Sequence, residues 1–522
     1  MGSLVVALAL TLIAAPPGDE PVETADDDTA AAWEAAGWGT ATESAPEPEP
    51  KPEPEPKPEA EPAETDSDAD AWEAAGWGAP SEGPEPEPTP QDTPRDREEP
   101  EPEPEKAEDK LKVGDVLGGS LRLTAAFLHY KKDNIRDFNA PIPRSDGLAV
   151  ALGRVLVDAP LGKHLRLEFN GFMQVGRSPT NSSGQGTFAN AGSTQSAYRT
   201  RSLTWTYWNQ GDISGQLGTD RLALRAKAGN LQIDLGRLPI TYAVTTMFTT
   251  NDFFAPFSAT AINTIYKPGV DAVRVSAGLG PRASWDVVGV LGYQPRYRSL
   301  TTTAENMNWG KPDWGRSAVL TRAAIVGAGF EWAALGGKVS QRWVVGGSLQ
   351  GDAGPLTLRS EFHIGIPDED GDGHDAADKP IYGRVAAGFG VTFAWQNANI
   401  VGEYMFAADG KKPDQYIERA LSAYSDDLPY LGRHYVGLAT GLELMPLLRL
   451  SVVGLLNAGD RSGMAGLSLM YNVADESDLI FGVYIPWGEG LQPPELYSGI
   501  TPLGSEFGLA PLTFYFESRV FF

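Results

Sequence analysis

The chain of 522 residues contains no cysteine. That excludes disulfides, thiolate metal sites and a lipid-modified N-terminal cysteine, and it suits a protein that crosses an oxidising compartment. Histidine is scarce. The five are His129, His164, His363, His374 and His434, and none forms a metal-spaced pair. The Ser-His or metal constellations that an enzyme needs are therefore missing, and the expected class is non-enzymatic. No tract of Lys and Arg exists for nucleic acid. Beyond residue 15 no run is apolar enough for a membrane helix, which takes ~20 residues. A protein integral to a membrane without such helices has to be a closed β-barrel, because only helices and barrels satisfy their backbone in lipid.

Acidic excess is present, but only at one end. The formal charge is −27, from 69 acidic and 42 basic side chains. Residues 1–109 hold 31 of the acidic and 5 of the basic groups, leaving 38 and 37 for residues 110–522. The acidity belongs to the front segment, and any ion preference of the rest must come from local charges.

Leu4 to Ala15 is an apolar run ended by Pro16-Pro17, and residues 1–15 read as a secretory signal with no basic n-region. Residues 16–110 are rich in Pro and Glu. They bury little and repel one another, so the expectation is a disordered, polyproline-like arm of ~3.1 Å per residue. Ala32-Trp33-Glu34-Ala35-Ala36-Gly37-Trp38-Gly39 recurs as Ala71-Trp72-Glu73-Ala74-Ala75-Gly76-Trp77-Gly78. Trp33, Trp38, Trp72 and Trp77 are candidate anchors for a periplasmic partner. Drift after a local duplication is the other reading.

From Leu111 the pattern changes to alternating strands. The last stretch sets one face, Leu512, Phe514, Phe516, Ser518, Val520 and Phe522, against Thr513, Tyr515, Glu517, Arg519 and Phe521. Residues 163–175 and 356–364 alternate the same way, with Phe172 as an exception. One apolar face and one charged face describe a wall with lipid outside and a wet lumen inside. The terminal strand with its final Phe522 resembles the closing strand of Gram-negative outer-membrane proteins, which the barrel-assembly machinery reads. The expected fold is all-β, a transmembrane antiparallel barrel of about 16–18 strands over residues 111–522. Long loops are expected at 132–146, 177–196, 240–269, 294–316, 366–380, 409–431 and 487–511. Up-down parity breaks near 209–220 and 332–340.

Three constellations stand out. A hairpin runs from Arg221 through the Gly229-Asn230 turn to Arg237. It is followed by Asn251-Asp252-Phe253-Phe254-Ala255-Pro256 and by Lys267-Pro268-Gly269-Val270-Asp271-Ala272. This stretch resembles a family of outer-membrane porins related to the alginate exporters, over about 60 residues. The resemblance implies a pore whose lumen-facing arginines line the passage. Parity turns Arg221 and Arg225 inward; Arg237 is named from the motif alone. The same charges could merely wet the lumen. Phe248, Phe253, Phe254 and Phe257 give loop 240–269 more phenylalanine than a surface loop needs, so it either folds inward and narrows the pore or packs on a neighbour. Asp368, Asp370, Asp372, Asp375 and Asp378 are spaced like a calcium loop, although Lys379 occupies the usual twelfth-position ligand. A merely hydrophilic acidic loop is the alternative.

The reading is an outer-membrane channel in a Gram-negative bacterium, with lipid around the barrel and the arm in the periplasm. The alternative is a structural anchor whose arm binds a cell-envelope partner.

Overall fold

The computed structural model describes residues 116–131, 144–177, 197–256, 267–296, 308–367, 381–416, 430–490, 492 and 503–522. In chain order the strands are β1 (Leu117–His129), β2 (Ser145–Pro160), β3 (Leu165–Arg177), β4 (Thr204–Gln210), β5 (Ile213–Ala228), β6 (Leu231–Leu238) and β7 (Val270–Gly278). Then come β8 (Ala283–Val290), β9 (Tyr293–Arg296), β10 (Asn308–Pro312), β11 (Ala318–Gly327), β12 (Phe330–Val339), β13 (Arg342–Ala353) and β14 (Leu356–Pro367). The last are β15 (Tyr382–Phe393), β16 (Ala398–Ala407), β17 (His434–Met445), β18 (Leu448–Asn457), β19 (Gly463–Ala474), β20 (Ser477–Trp487) and β21 (Leu512–Phe521).

One sheet holds 19 of these strands, and 18 of them form a closed antiparallel ring. Closure is the pairing of β1 with β21, from Ser120 opposite Phe521 to His129 opposite Leu512. The nineteenth, β4, pairs only with the upper part of β5, whose residues Ile213 to Gly218 outrun β6. β9 and β10 form a separate hairpin within the β8–β11 connection. The expected range of strand numbers thus resolves to 18, an even number that returns both strand ends of the seam to one side.

Every connection at one end of the barrel is short, as at Gly229-Asn230, Ala328-Gly329 and Gly354-Pro355. The seven long loops all fall at the other end. The two parity breaks have separate causes. β4 and β5 make an extra hairpin inside a long loop, and β5 carries a bulge at Asp220, where the register with β3 shifts. Near 340, Ser340 adopts φ 52°, and a two-residue turn stands where a long loop would be expected.

The alternation read from the last strand holds in three dimensions. Phe514 and Val520 are 51% and 38% exposed, while Thr513, Glu517 and Arg519 are buried at 1%, 2% and 5%. Leu222, Leu224, Met173, Val345, Phe362 and Ile364 also face outward. A closed ring leaves no unpaired edge along its perimeter, and its outer surface is apolar. Such a surface meets lipid at little cost, whereas in water each large side chain left bare forgoes about 1.5–3 kcal/mol. Among the described residues no helix is long and apolar enough to cross a membrane. Among the described residues, two large apolar clusters lie inside the ring, beside a smaller pair of Leu152 and Phe172. One gathers Phe248, Met405, Tyr430, Tyr435, Phe507 and Tyr515, and the other Tyr198, Tyr242, Phe253, Phe254, Leu320 and Val344.

Candidate functional site: a strap across the lumen

The segment after β6 does not stay at the rim. Residues 239–256 cross the interior to β14 and β16, the latter eight places round the ring of 18 from β6 and so nearly opposite. Tyr242 marks the near end, donating its hydroxyl to Asp286 Oδ1 on β8 at 2.6 Å. The strap is neither helix nor strand, so its buried N–H groups need acceptors from elsewhere. Two wall carboxylates supply them. Glu361 Oε2 accepts from Val244 N at 2.5 Å and Thr245 N at 3.2 Å. Its Oε1 accepts from Asn251 N at 2.9 Å and from the Thr250 hydroxyl at 3.1 Å. Glu403 accepts from Thr246 N at 2.6 Å, Met247 N at 2.7 Å and Phe248 N at 3.1 Å. Both carboxylates are enclosed.

The wall is shaped for this approach. Glu403 lies in register between Gly388 on β15 and Gly437 on β17. A Cβ on Gly437 would meet Met247 Cε at 2.7 Å, and one on Gly388 would meet Glu403 Cγ at 2.4 Å. The strap's contacts continue on both sides. Arg359 donates to Thr246 Oγ1 at 2.7 Å, and Asn251 Nδ2 to the Gly347 carbonyl at 3.2 Å. Phe248 meets Tyr430 and Tyr435 with ring centroids 5.5 and 6.1 Å away. Phe253 packs edge-on against His363, and Phe254 against Tyr198, both at 5.1 Å. On the returning limb Lys267 pairs with Asp252. Three of the four phenylalanines are therefore inside the barrel; Phe257 lies outside the described residues.

Towards the short-turn end the inner wall is a mosaic of opposite charges. Arg225 faces inward and pairs with Asp234 at 2.9 Å, and Asp234 stands in register with Arg274, which pairs with Asp286. Arg322 meets Glu331 at 2.5 Å, Arg221 meets Glu168 at 2.9 Å, and Arg449 meets Glu443 at 2.7 Å. The Arg225 side chain is 46% exposed and that of Arg274 37%, although both face the interior. The lumen at this end is therefore wet.

Arg237 has a different place from Arg221 and Arg225. It is fully enclosed, pairing with Asp271 at 2.7 Å and donating to the Thr219 and Thr200 carbonyls at 2.9 Å each. It clamps the ends of β5, β6 and β7 to segment 197–200 instead of lining an open passage. Gly236 explains why alternation fails there. Its φ is +128°, and a Cβ would meet the Leu222 carbonyl at 2.1 Å. Arg199 and Arg154 share Asp220 in a second enclosed group beside it.

Asp368, Asp370, Asp372, Asp375 and Asp378 lie outside the described residues, as do Trp33, Trp38, Trp72 and Trp77. The two anchoring glutamates were not singled out by sequence. One signal was present: Glu403 is the lone charged residue of Ala398–Ala407, at an inward position.

Fold and site define a class: a transmembrane antiparallel β-barrel with an inward-folded segment strapped across its interior. No protein family model matches the chain. No curated protein matches it either. Solved structures with a similar fold include Acinetobacter baumannii OccAB3, at 11% identity and TM-score 0.45 over 78% of this chain and 100% of that one. Pseudomonas aeruginosa OccK2 (OpdF), solved in complex with glucuronate, matches at 9% identity and TM-score 0.46, over 78% of this chain and 97% of that one. The outer-membrane protein OpdK from Pseudomonas aeruginosa matches at 8% identity and TM-score 0.42, over 78% and 98%.

Proposed function

We propose that this chain is an outer-membrane channel of a Gram-negative bacterium for passive passage of small solutes. The observation that carries the reading is the strap held across a lumen whose charged wall reaches water. A barrel that served only as an anchor would gain nothing from a wet, charged interior with one inward segment fixed at seven donor positions. The mechanism is steric and electrostatic. The strap sets the narrow section, and the paired charges of Arg225, Arg274, Arg322 and their partners give passing solutes polar contacts in place of bulk water. The stretch from Arg221 to Ala277 resembles porins related to the alginate exporters, which agrees with a pore and does not name the solute. Conductance of the pure protein in planar bilayers tests the reading. Stable unit steps are expected; a folded barrel that stays silent would leave the anchor.

Four features complete the proposal. Residues 1–15 act as a signal sequence and 16–110 as a disordered periplasmic arm. Both ends of an even-stranded barrel emerge on the same side, so the arm hangs towards the cell wall with Trp33, Trp38, Trp72 and Trp77 as partner contacts. Replacing the four with Ala should abolish co-purification of an envelope partner without altering conductance. Residues 368–378 bind Ca2+ through their aspartates. The final strand is the signal to the barrel-assembly machinery.

A further inference from the structure

We propose that Glu361 and Glu403 are the positioning residues of the channel: they hold residues 244–251 rigidly across the lumen, and the bore is set by this grip. The proposal rests on the channel reading above and adds to it the groups that fix the constriction.

Val244, Thr245, Thr246, Met247 and Phe248 form one uninterrupted run of the strap. All five consecutive backbone N–H groups point to the same two carboxylates, the first two to Glu361 and the next three to Glu403. A chain curved so that successive N–H groups converge makes a nest for an anion. Here the anions belong to the barrel wall. The strap supplies few of its own acceptors; Thr245 Oγ1 closes on the Phe248 carbonyl at 2.9 Å, and Thr250 N on the same oxygen at 2.8 Å. Without the carboxylates the five donors would be buried and unmatched, which the segment avoids only by leaving the wall. Lys267, paired with Asp252, lies close enough to interact with Glu361, and Arg359 and His363 flank Glu361 on β14. The hydrophobic seat of Phe248 beside Tyr430 and Tyr435 adds area but no direction. Direction comes from the two carboxylates, each on a strand that cannot shift.

The division of labour gives a test with positional resolution. Full-length Glu403→Gln and Glu361→Gln are made, and folding is checked by heat-modifiable migration in gels. Glutamine keeps one acceptor oxygen and turns an NH2 towards N–H donors. Amide hydrogen exchange should accelerate by about tenfold or more at Thr246–Phe248 in the first variant, and at Val244, Thr245 and Asn251 in the second, with β1–β21 seam amides unchanged. In bilayers each variant should show a noisier open level of altered size. Glu361→Asp and Glu403→Asp, which keep the charge but withdraw it by one methylene, should lie between. In the wild type, which needs no variant, the five amide protons should resonate downfield as carboxylate-bound donors. Absence of those downfield signals, or exchange that is unchanged or rises evenly over loop and barrel, overturns the proposal. A silent wild type with the predicted exchange pattern would instead sink the channel reading and leave the grip standing.

Discussion

Two inward-turned segments of this barrel are fastened by carboxylates, in opposite senses. In the strap the carboxylates stand on the wall, and the loop offers its backbone. In the segment 503–510, between β20 and β21, the carboxylate is the loop's own. Glu506 Oε1 accepts from Leu431 N at 3.0 Å, and its Oε2 accepts from Asn457 Nδ2 at 2.8 Å and from the Tyr435 hydroxyl. The Glu506 N–H donates to Asp460 Oδ2 at 2.8 Å, so a second carboxylate stands beside the first. Phe507 enters the same apolar cluster as Phe248. Backbone donors survive every substitution except proline and do not themselves titrate. Side-chain donors can be replaced one at a time. The strap is therefore held by groups of the wall, and segment 503–510 is a latch that carries its own carboxylate.

The largest effect expected from breaking this contrast is on conductance. Deleting residues 248–257 should raise unit conductance roughly twofold or more in a folded barrel, because the narrow section loses its obstruction. An unchanged unit step would put the narrow section elsewhere.

The next effect is on the latch. Burial, with Asp460 adding to it, pushes the Glu506 carboxyl up to about 7 against the donors that pull it down. The docked state therefore holds a proton more tightly than the free loop does. Docking is strongest below the free value and weakens as pH rises from about 5 through 7, by up to about tenfold per pH unit. Protease sensitivity or hydrogen exchange of residues 503–510 should rise over that window, and Glu506→Gln should flatten the profile. A profile that rises towards acid would reverse the sign and refute the assignment.

A smaller effect is on ion preference. The inward charges come as pairs of opposite sign, so the permeability ratio of small cations to anions should lie within about threefold of unity. A reversal potential near the ideal limit for either sign would contradict the mosaic. The smallest effect is expected at residues 368–378. Chelating calcium should loosen that loop to protease, and changing Asp368, Asp370 and Asp372 to Asn should remove the difference. Equal digestion with and without calcium would dismiss the site.

Much of the architecture was legible because a barrel wall has two solvents. Glu517 and Arg519 against Phe514 and Phe516 need only a count by twos, and the seven long loops follow from the spacing of such strands. The strand number was not fixed, because β4 pairs inside a loop, Asp220 adds a residue to β5, and the turn after Val339 is short where its neighbours are long. Site legibility followed the same logic. Phe248, Phe253 and Phe254 announced themselves as too apolar for a surface loop. Glu361 was visible only as one of several inward charges, and Glu403 as a lone acid in an uncharged strand. Their partners are main-chain N–H groups, which every residue but proline carries and which leave no trace in sequence. Arg237 was found through a motif, yet Gly236 rotates it out of the alternation that placed Arg221 and Arg225.

The seam between β1 and β21 has a consequence in time. Thr124 donates to Glu517 at 3.0 Å across 393 residues of chain, while nearly every other strand meets its partner within one hairpin. Loop closure over such a span is slow, and it cannot begin before the far strand exists. During synthesis and transit the exposed edge of β1 waits with its apolar face bare, a template for any stray strand. The order of events is therefore set: hairpins first, seam last. Until Arg122 meets Glu517 the molecule is an open sheet with two unpaired edges.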